Sequence, residues 1–190
     1  TIRPPKIDLP AFKRDTLEAD KDCFTILSVG RFVRHKGHSV LLDAVADLTH
    51  SIPWTLTIAG DGPQYETLYQ ISIQYHFSNR VTIVKHPSRT DLIKLYHDAN
   101  LFIFPSLELT DSVEGFGIVL LEAMAFRIPV IASKTGGITE VVNNDSAILI
   151  PPGDPSELRK AIILLYKKPV LRKQLTENAY ERVKNLFSWN

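Results

Sequence analysis

The chain has 190 residues, 22 Lys plus Arg against 21 Asp plus Glu for a net charge of +1, and 44% apolar against 23% charged residues. A chain of this length buries roughly 70% of the surface it exposes when unfolded, so a single domain needs no metal or disulfide staple. The near-zero charge argues against nucleic acid as the main partner, the single Cys23 allows no internal disulfide, and no apolar run reaches the roughly 20 residues of a membrane-spanning helix; the chain reads as a cytoplasmic domain.

Residues 1–22, PPKIDLPAF followed by the charged KRDTLEADKD, read as an inter-domain linker, and residues 23–190 as the folded domain. From Phe24 onward, short β-branched runs alternate with segments of helical period. FTILSV precedes GHSVLLDAVADL, and WTLTIAG precedes a polar helix through Tyr75. RVTIV precedes a helix from about Thr90 to Ala99, and LFIF a helix after Gly117. PVIAS, a short helix near Glu140, AILI and two terminal helices complete the series. Six strands separated by helices imply right-handed crossovers and a doubly wound α/β fold with a six-stranded parallel sheet. Pro63 suits a first helical turn, and Asp154 with Glu157 reads as an N-cap and its capping-box partner.

In such sheets ligands bind beyond the carboxyl ends of the strands, which selects the loops at 30–37, 60–63, 85–90, 105–117, 133–138 and 151–154. In the first, GRFVRHKGH, Arg31 and Lys36 can converge on one anion, Arg as a bidentate fork and Lys as a point charge. A solvated basic turn explains the same residues. His35 and His38 flank this place and read as loop surface, with no partner carboxylate identifiable. Gly60 sits in a Gly-Asp-Gly-Pro turn against which a ligand could lie. The G-x-G-x-x-G fingerprint follows no strand, which weakens a dehydrogenase reading.

The stretch PSLELTDSVEGFGIVLLEAMA carries the most information. Gly115, Phe116 and Gly117 open an apolar helix whose exposed N–H groups and dipole suit a diphosphate. Glu114 and Glu122 lie eight residues apart, roughly 12 Å along a helix axis, beyond the about 5–9.5 Å of a paired acid and base on one glycosidic bond. They suit the two ends of an extended ligand, one carboxylate for sugar hydroxyls and one for ribose. Glu122 interrupts IVLLxAMA, and a carboxylate there is costly unless hydrogen-bonded; a solvent-facing stripe is the other reading. Glu108 and Asp111 lack His or Cys neighbours for a metal, and Ser106, Ser112 and Ser133 lack a nucleophile-elbow pattern.

Together these residues resemble the C-terminal, donor-binding domain of retaining glycosyltransferases of the GT-B fold, the glycosyl transferases group 1, over about Phe24 to Trp189. Gly30-Arg31 with Lys36-Gly37 is similar to that family's G-R-x4-K-G. Glu114 to Glu122 resembles its two glutamates separated by seven residues, and PVIASKTGGITEVV and ILIPPGDPSEL resemble the elements that follow. The resemblance implies a Rossmann-like six-stranded domain, the C-terminal half of a GT-B fold. It also implies transfer of a sugar from a nucleotide diphosphate sugar with retained configuration, no cofactor and no required metal. Arg31, Lys36 and Glu114 would be catalytic, the two cations at the departing diphosphate and Glu114 on the transferred sugar. Gly30, Gly60, Lys85, Gly115, Phe116, Gly117, Ile118 and Glu122 would bind the donor, Glu122 at the ribose and the loop around Val84 to His86 at the base. The acceptor, a sugar or a lipid, would be bound mainly by an N-terminal domain absent from this chain, and peripheral association of the full enzyme with the inner face of a membrane is among the arrangements this allows. Lys85, Arg127 and Ala147 stand where the family commonly has Gly, and Thr139 where it has Pro. A standalone nucleotide-sugar-binding module is the rival expectation, and a sugar-nucleotide epimerase of similar architecture a third.

Overall fold

The computed structural model describes residues 23–48, 52–77, 79–109 and 117–188; the linker expected over 1–22 lies outside these. Six strands, β1 (Phe24–Val29), β2 (Trp54–Gly60), β3 (Val81–Lys85), β4 (Leu101–Phe104), β5 (Val130–Ser133) and β6 (Ile148–Ile150), form one sheet in the order β3-β2-β1-β4-β5-β6. Every pairing is parallel. The helices are α1 (His38–Ala46), α2 (Tyr65–Gln74), α3 (Arg89–Asp98), α4 (Ile118–Ala125), α5 (Ile138–Val141), α6 (Pro155–Lys167) and α7 (Pro169–Leu186).

Period-two alternation divides the strands between two cores. Leu27, Val29, Phe102, Phe104, Val130 and Ala132 pack with Tyr96 of α3, Leu120 and Leu121 of α4, and Val183 of α7. Ile26, Leu56, Ile58, Leu101, Ile103 and Ile131 pack on the opposite face with Leu41 and Leu42 of α1, Leu68 of α2 and Ile162 of α6. The central strands β4 and β5 are buried throughout. Each such Leu, Ile or Phe contributes about 1.5–3 kcal/mol of apolar burial, whereas edge strand β3 buries no residue fully.

The helix starts match the sequence unevenly. The Asp154 side chain accepts from the Glu157 N–H at 3.0 Å, as expected of an N-cap. The Glu157 carboxylate, however, accepts from Lys160 at 2.6 Å, an i,i+3 pair that is within easier reach than the Asp154 backbone. The reciprocal box is formed at α3, where Ser88 and Asp91 each cap the other's backbone N–H. Pro63 precedes α2, whose N-cap is Gln64, and it is Pro155 and Pro169 that open helices. Arg127 takes φ 55°, so it adopts the left-handed turn for which glycine is better suited, and its guanidinium lies 3.7 Å from the Tyr180 ring centroid.

The strand order reverses between β1 and β4, because β2 and β3 extend the sheet on one side and β4, β5 and β6 on the other. A crevice is therefore expected between the carboxyl ends of β1 and β4.

Candidate functional site

The loops at this edge are joined to one another by backbone contacts. The Leu107 N–H, after β4, donates to the His35 carbonyl at 2.7 Å. Gly37 (φ 66°) lies so close to the β4 loop that a Cβ there would stand 1.9 Å from the Pro105 carbonyl oxygen. After β2, the Gln64 N–H donates to Phe32 at 2.9 Å, and the Gly60 carbonyl accepts from His86 at 2.9 Å. A Cβ on Gly60 would meet the Gly30 carbonyl at 1.9 Å, so this glycine is required by the approach of β1 to β2.

Gly30 differs. A Cβ there would make only ordinary contacts, 3.6 Å from Lys36 Cδ and 3.7 Å from two atoms of the His38 ring, and its φ is not in the left-handed region. Arg31 follows it and is exposed. Lys36 ends a short 3₁₀ turn over Arg34–Lys36, and its Nζ lies 4.9 Å from the centroid of Phe104, the last residue of β4. Phe104 also lies beside Gly117, 3.5 Å from where a Cβ would stand. Lys36, Phe104 and Gly117 thus meet at the reversal of strand order.

Six helices follow strands, and their starts differ in a way that bears on anions. Among the described residues, α3 and α6 are capped by the Ser88 and Asp154 side chains, and α2 and α5 carry Glu66 and Glu140 in their first turns. Of the described helices, α1 and α4 alone have a glycine N-cap in the left-handed region, with no side-chain cap and no acidic first-turn residue among the described residues. Both follow the two strands at the reversal, so two positive helix ends with no side-chain cap among the described residues lie at the same edge as Lys36. Ile118, the first residue of α4, is 55% exposed there.

His38, expected on the loop surface, is buried at the start of α1, and no described residue hydrogen-bonds its Nδ1. The left-handed turn at Gly37 directs the first residue of α1 inward against Phe32, with ring centroids 5.7 Å apart. Burial, and then the Lys36 charge, lower its pKa to about 3, so the imidazole is neutral at physiological pH.

Glu122 is 7% exposed, and the cost of burying it is met by two partners on α3. Arg89 Nη1 donates to Oε1 at 2.5 Å and the Tyr96 hydroxyl to Oε2 at 2.9 Å. Burial, then the charge and hydrogen bond of Glu122, raise the Tyr96 pKa well above the usual tyrosine value, which keeps its hydroxyl a donor. Sequence reasoning identified the carboxylate and missed both partners. A usable signal existed, because Arg89 and Tyr96 are seven residues apart, two helical turns, and so share a face.

Lys85 ends β3, with its Nζ 5.1 Å from the Tyr65 centroid. The next residue, His86, takes φ 52°, and its Nδ1 lies 3.4 Å from Asp61. Glu114, Gly115 and Phe116 lie outside the described residues. No group of three or more His, Cys, Asp or Glu among the described residues is placed to hold a metal, and none of their helices is long and apolar enough to cross a membrane.

The family model described as Glycosyl transferases group 1 matches residues 11–182. An uncharacterized glycosyltransferase of Methanocaldococcus jannaschii is 32% identical over 164 residues, 86% of this chain and 44% of that protein. Sucrose-phosphate synthase from Thermosynechococcus elongatus superposes with TM-score 0.83 and 32% identity over 98% of this chain and 48% of its own. The Anabaena protein HepE, in complex with UDP and glucose, superposes with TM-score 0.83 and 25% identity over 96% of this chain and 51% of its own. The chain thus spans about half the length of the proteins it matches.

Proposed function

Because the chain belongs to the glycosyl transferases group 1 family, we propose that it is the donor-binding part of an enzyme that moves a sugar from a nucleoside diphosphate sugar to an acceptor with retention of configuration. The observation that carries this reading is the pair of helix starts, α1 and α4, that have no side-chain cap among the described residues and lie at the β1/β4 edge with Arg31 and Lys36. A diphosphate placed there meets two helix dipoles and two cations, which stabilise the charge that grows on it as the glycosidic bond breaks. Each well-placed donor of this kind contributes about 2.7–4 kcal/mol to a transition state. In this reading Glu114 holds the transferred sugar, Gly115, Phe116, Gly117 and Ile118 line the phosphates, and Glu122 accepts from the ribose. Lys85 and the neighbouring loop border the base. The cations and helix ends take the role a metal plays in other transferases, so the reaction is assigned no metal or cofactor. Acceptor binding is assigned to a domain outside this chain, and the UDP complex of HepE makes uracil the first base to test.

The test is calorimetric titration with UDP, GDP and ADP and their glucose conjugates. Binding by the native chain is expected to weaken about 10- to 100-fold in Arg31→Ala, the loss of one charge-assisted phosphate contact. Gly30→Ala is expected to melt like the native chain and to bind poorly, since its new methyl group makes only ordinary contacts with Lys36 and His38 and takes up room beside Lys36 that the diphosphate would use. Unaltered binding in both variants would remove the diphosphate from this crevice.

A further inference from the structure

We infer that Tyr96 and Arg89 are positioning residues that set the Glu122 carboxylate to read a ribose diol, which makes the site selective for ribonucleotides over deoxyribonucleotides. The inference rests on the assignment of Glu122 to the donor ribose made above and adds what aims that carboxylate.

Glu122 lies in the second turn of α4, and α3, which carries both partners, begins at the same carboxyl edge of the sheet. A carboxylate has about four acceptor positions, two on each oxygen. Arg89 takes one on Oε1 and Tyr96 one on Oε2. With one position on each oxygen engaged among the described residues, each retains an acceptor position, and two acceptors on one planar group match two adjacent hydroxyls.

The two partners are held differently. Tyr96 is fully buried, with its ring stacked on Phe126 at 5.2 Å and tilted against Phe102 at 5.8 Å. Its hydroxyl is therefore a rigid reference point in the core. The Arg89 side chain is 54% exposed while that of Glu122 is 10% exposed, so Arg89 reaches inward from the rim to a carboxylate that solvent barely touches. Without the tyrosine hydroxyl, Oε2 has no fixed partner and the carboxylate turns about its last bond. The diol contact then weakens, whereas the diphosphate contacts, made at the starts of α1 and α4 and by Arg31 and Lys36, stay.

A tyrosine that merely satisfied a buried carboxylate would behave otherwise, because its loss would lower stability and weaken every nucleotide alike. The experiment is calorimetric titration of the native chain, Tyr96→Phe and Arg89→Met with UDP against 2′-deoxy-UDP, with the GDP and ADP pairs run alongside. The native chain is expected to prefer the ribonucleotide about tenfold, the value of one hydrogen bond to a charged group. In Tyr96→Phe the preference should fall to about twofold, with the affinity for the deoxynucleotide, which keeps its 3′-hydroxyl, falling less than that for the ribonucleotide. Arg89→Met removes the other donor from an exposed position and should act in the same direction, which keeps the test decisive where Tyr96→Phe fails to fold. A folded variant that retains the native preference overturns the inference and leaves the donor site standing. A native chain that binds without preferring ribose overturns the role of Glu122. One that binds no nucleoside diphosphate overturns the donor-site reading and the inference with it.

Discussion

Gly37→Ala is expected to destabilise the chain by about 3 kcal/mol or more, read as a fall in melting temperature of roughly 6–12 °C for a domain of this size. Two penalties combine. Gly37 has φ 66°, a conformation that costs a residue with a side chain about 1–2 kcal/mol. Its new Cβ would also stand 1.9 Å from the Pro105 carbonyl oxygen and 2.9 Å from the carbonyl carbon, both backbone atoms that no rotamer change can move. Relief requires the β1 and β4 loops to separate, which would break the Leu107 to His35 hydrogen bond and shift the start of α1. Nucleotide binding should therefore weaken together with stability. Gly30→Ala, seven residues away and without a steric conflict, is the control that should melt normally. A Gly37→Ala chain as stable as native would show that the two loops are not in contact as described.

His38 should make the chain acid-sensitive well above the range in which carboxylates titrate. Its pKa is about 3 in the folded chain against 6.5 for the ordinary group. Between these values the unfolded chain holds a proton that the folded chain refuses, so the unfolded state binds more protons and falling pH favours it. The contribution is complete above about pH 6.5 and is lost progressively below it, amounting to about 2 kcal/mol between pH 7.5 and pH 5. Denaturant unfolding at a series of pH values should show this slope in the native chain and a flatter one in His38→Leu, which places an apolar group in the same buried space. Equal slopes in the two proteins would mean that His38 is solvated, as expected of a loop-surface residue.

That histidine illustrates where the sequence was readable and where it was not. The six strands were legible because each is a short β-branched run ended by turn residues, and the observed elements fall where those runs lie. The loops at the carboxyl edge followed from the parallel sheet. The burial of His38 was not legible, because it depends on the left-handed turn at Gly37 and on Pro105, which is brought against it only by the pairing of β1 with β4. Glu122 was recognisable as a costly carboxylate within an apolar helix. Its partners, 26 and 33 residues earlier, face it only once α3 and α4 pack on the same face of the sheet. Gly60 shows the converse, since turn chemistry and ligand approach both account for a glycine in sequence, and its contact with Gly30 supplies a third, purely steric reason.

Donor binding is assigned to one place, the carboxyl ends of β1 and β4, where the diphosphate of a nucleoside diphosphate would sit. The most direct measurement is amide chemical-shift mapping of the isotopically labelled chain during titration with UDP, GDP and ADP. The amides of Gly30, Arg31, Gly37 and Gly117 to Val119 are expected to shift with saturation, while those lining the groove between α2 and β3, at Tyr69, Ile73 and Thr82, stay in place. Shifts confined to that groove, or no saturable shift with any of the three nucleotides, would contradict that assignment.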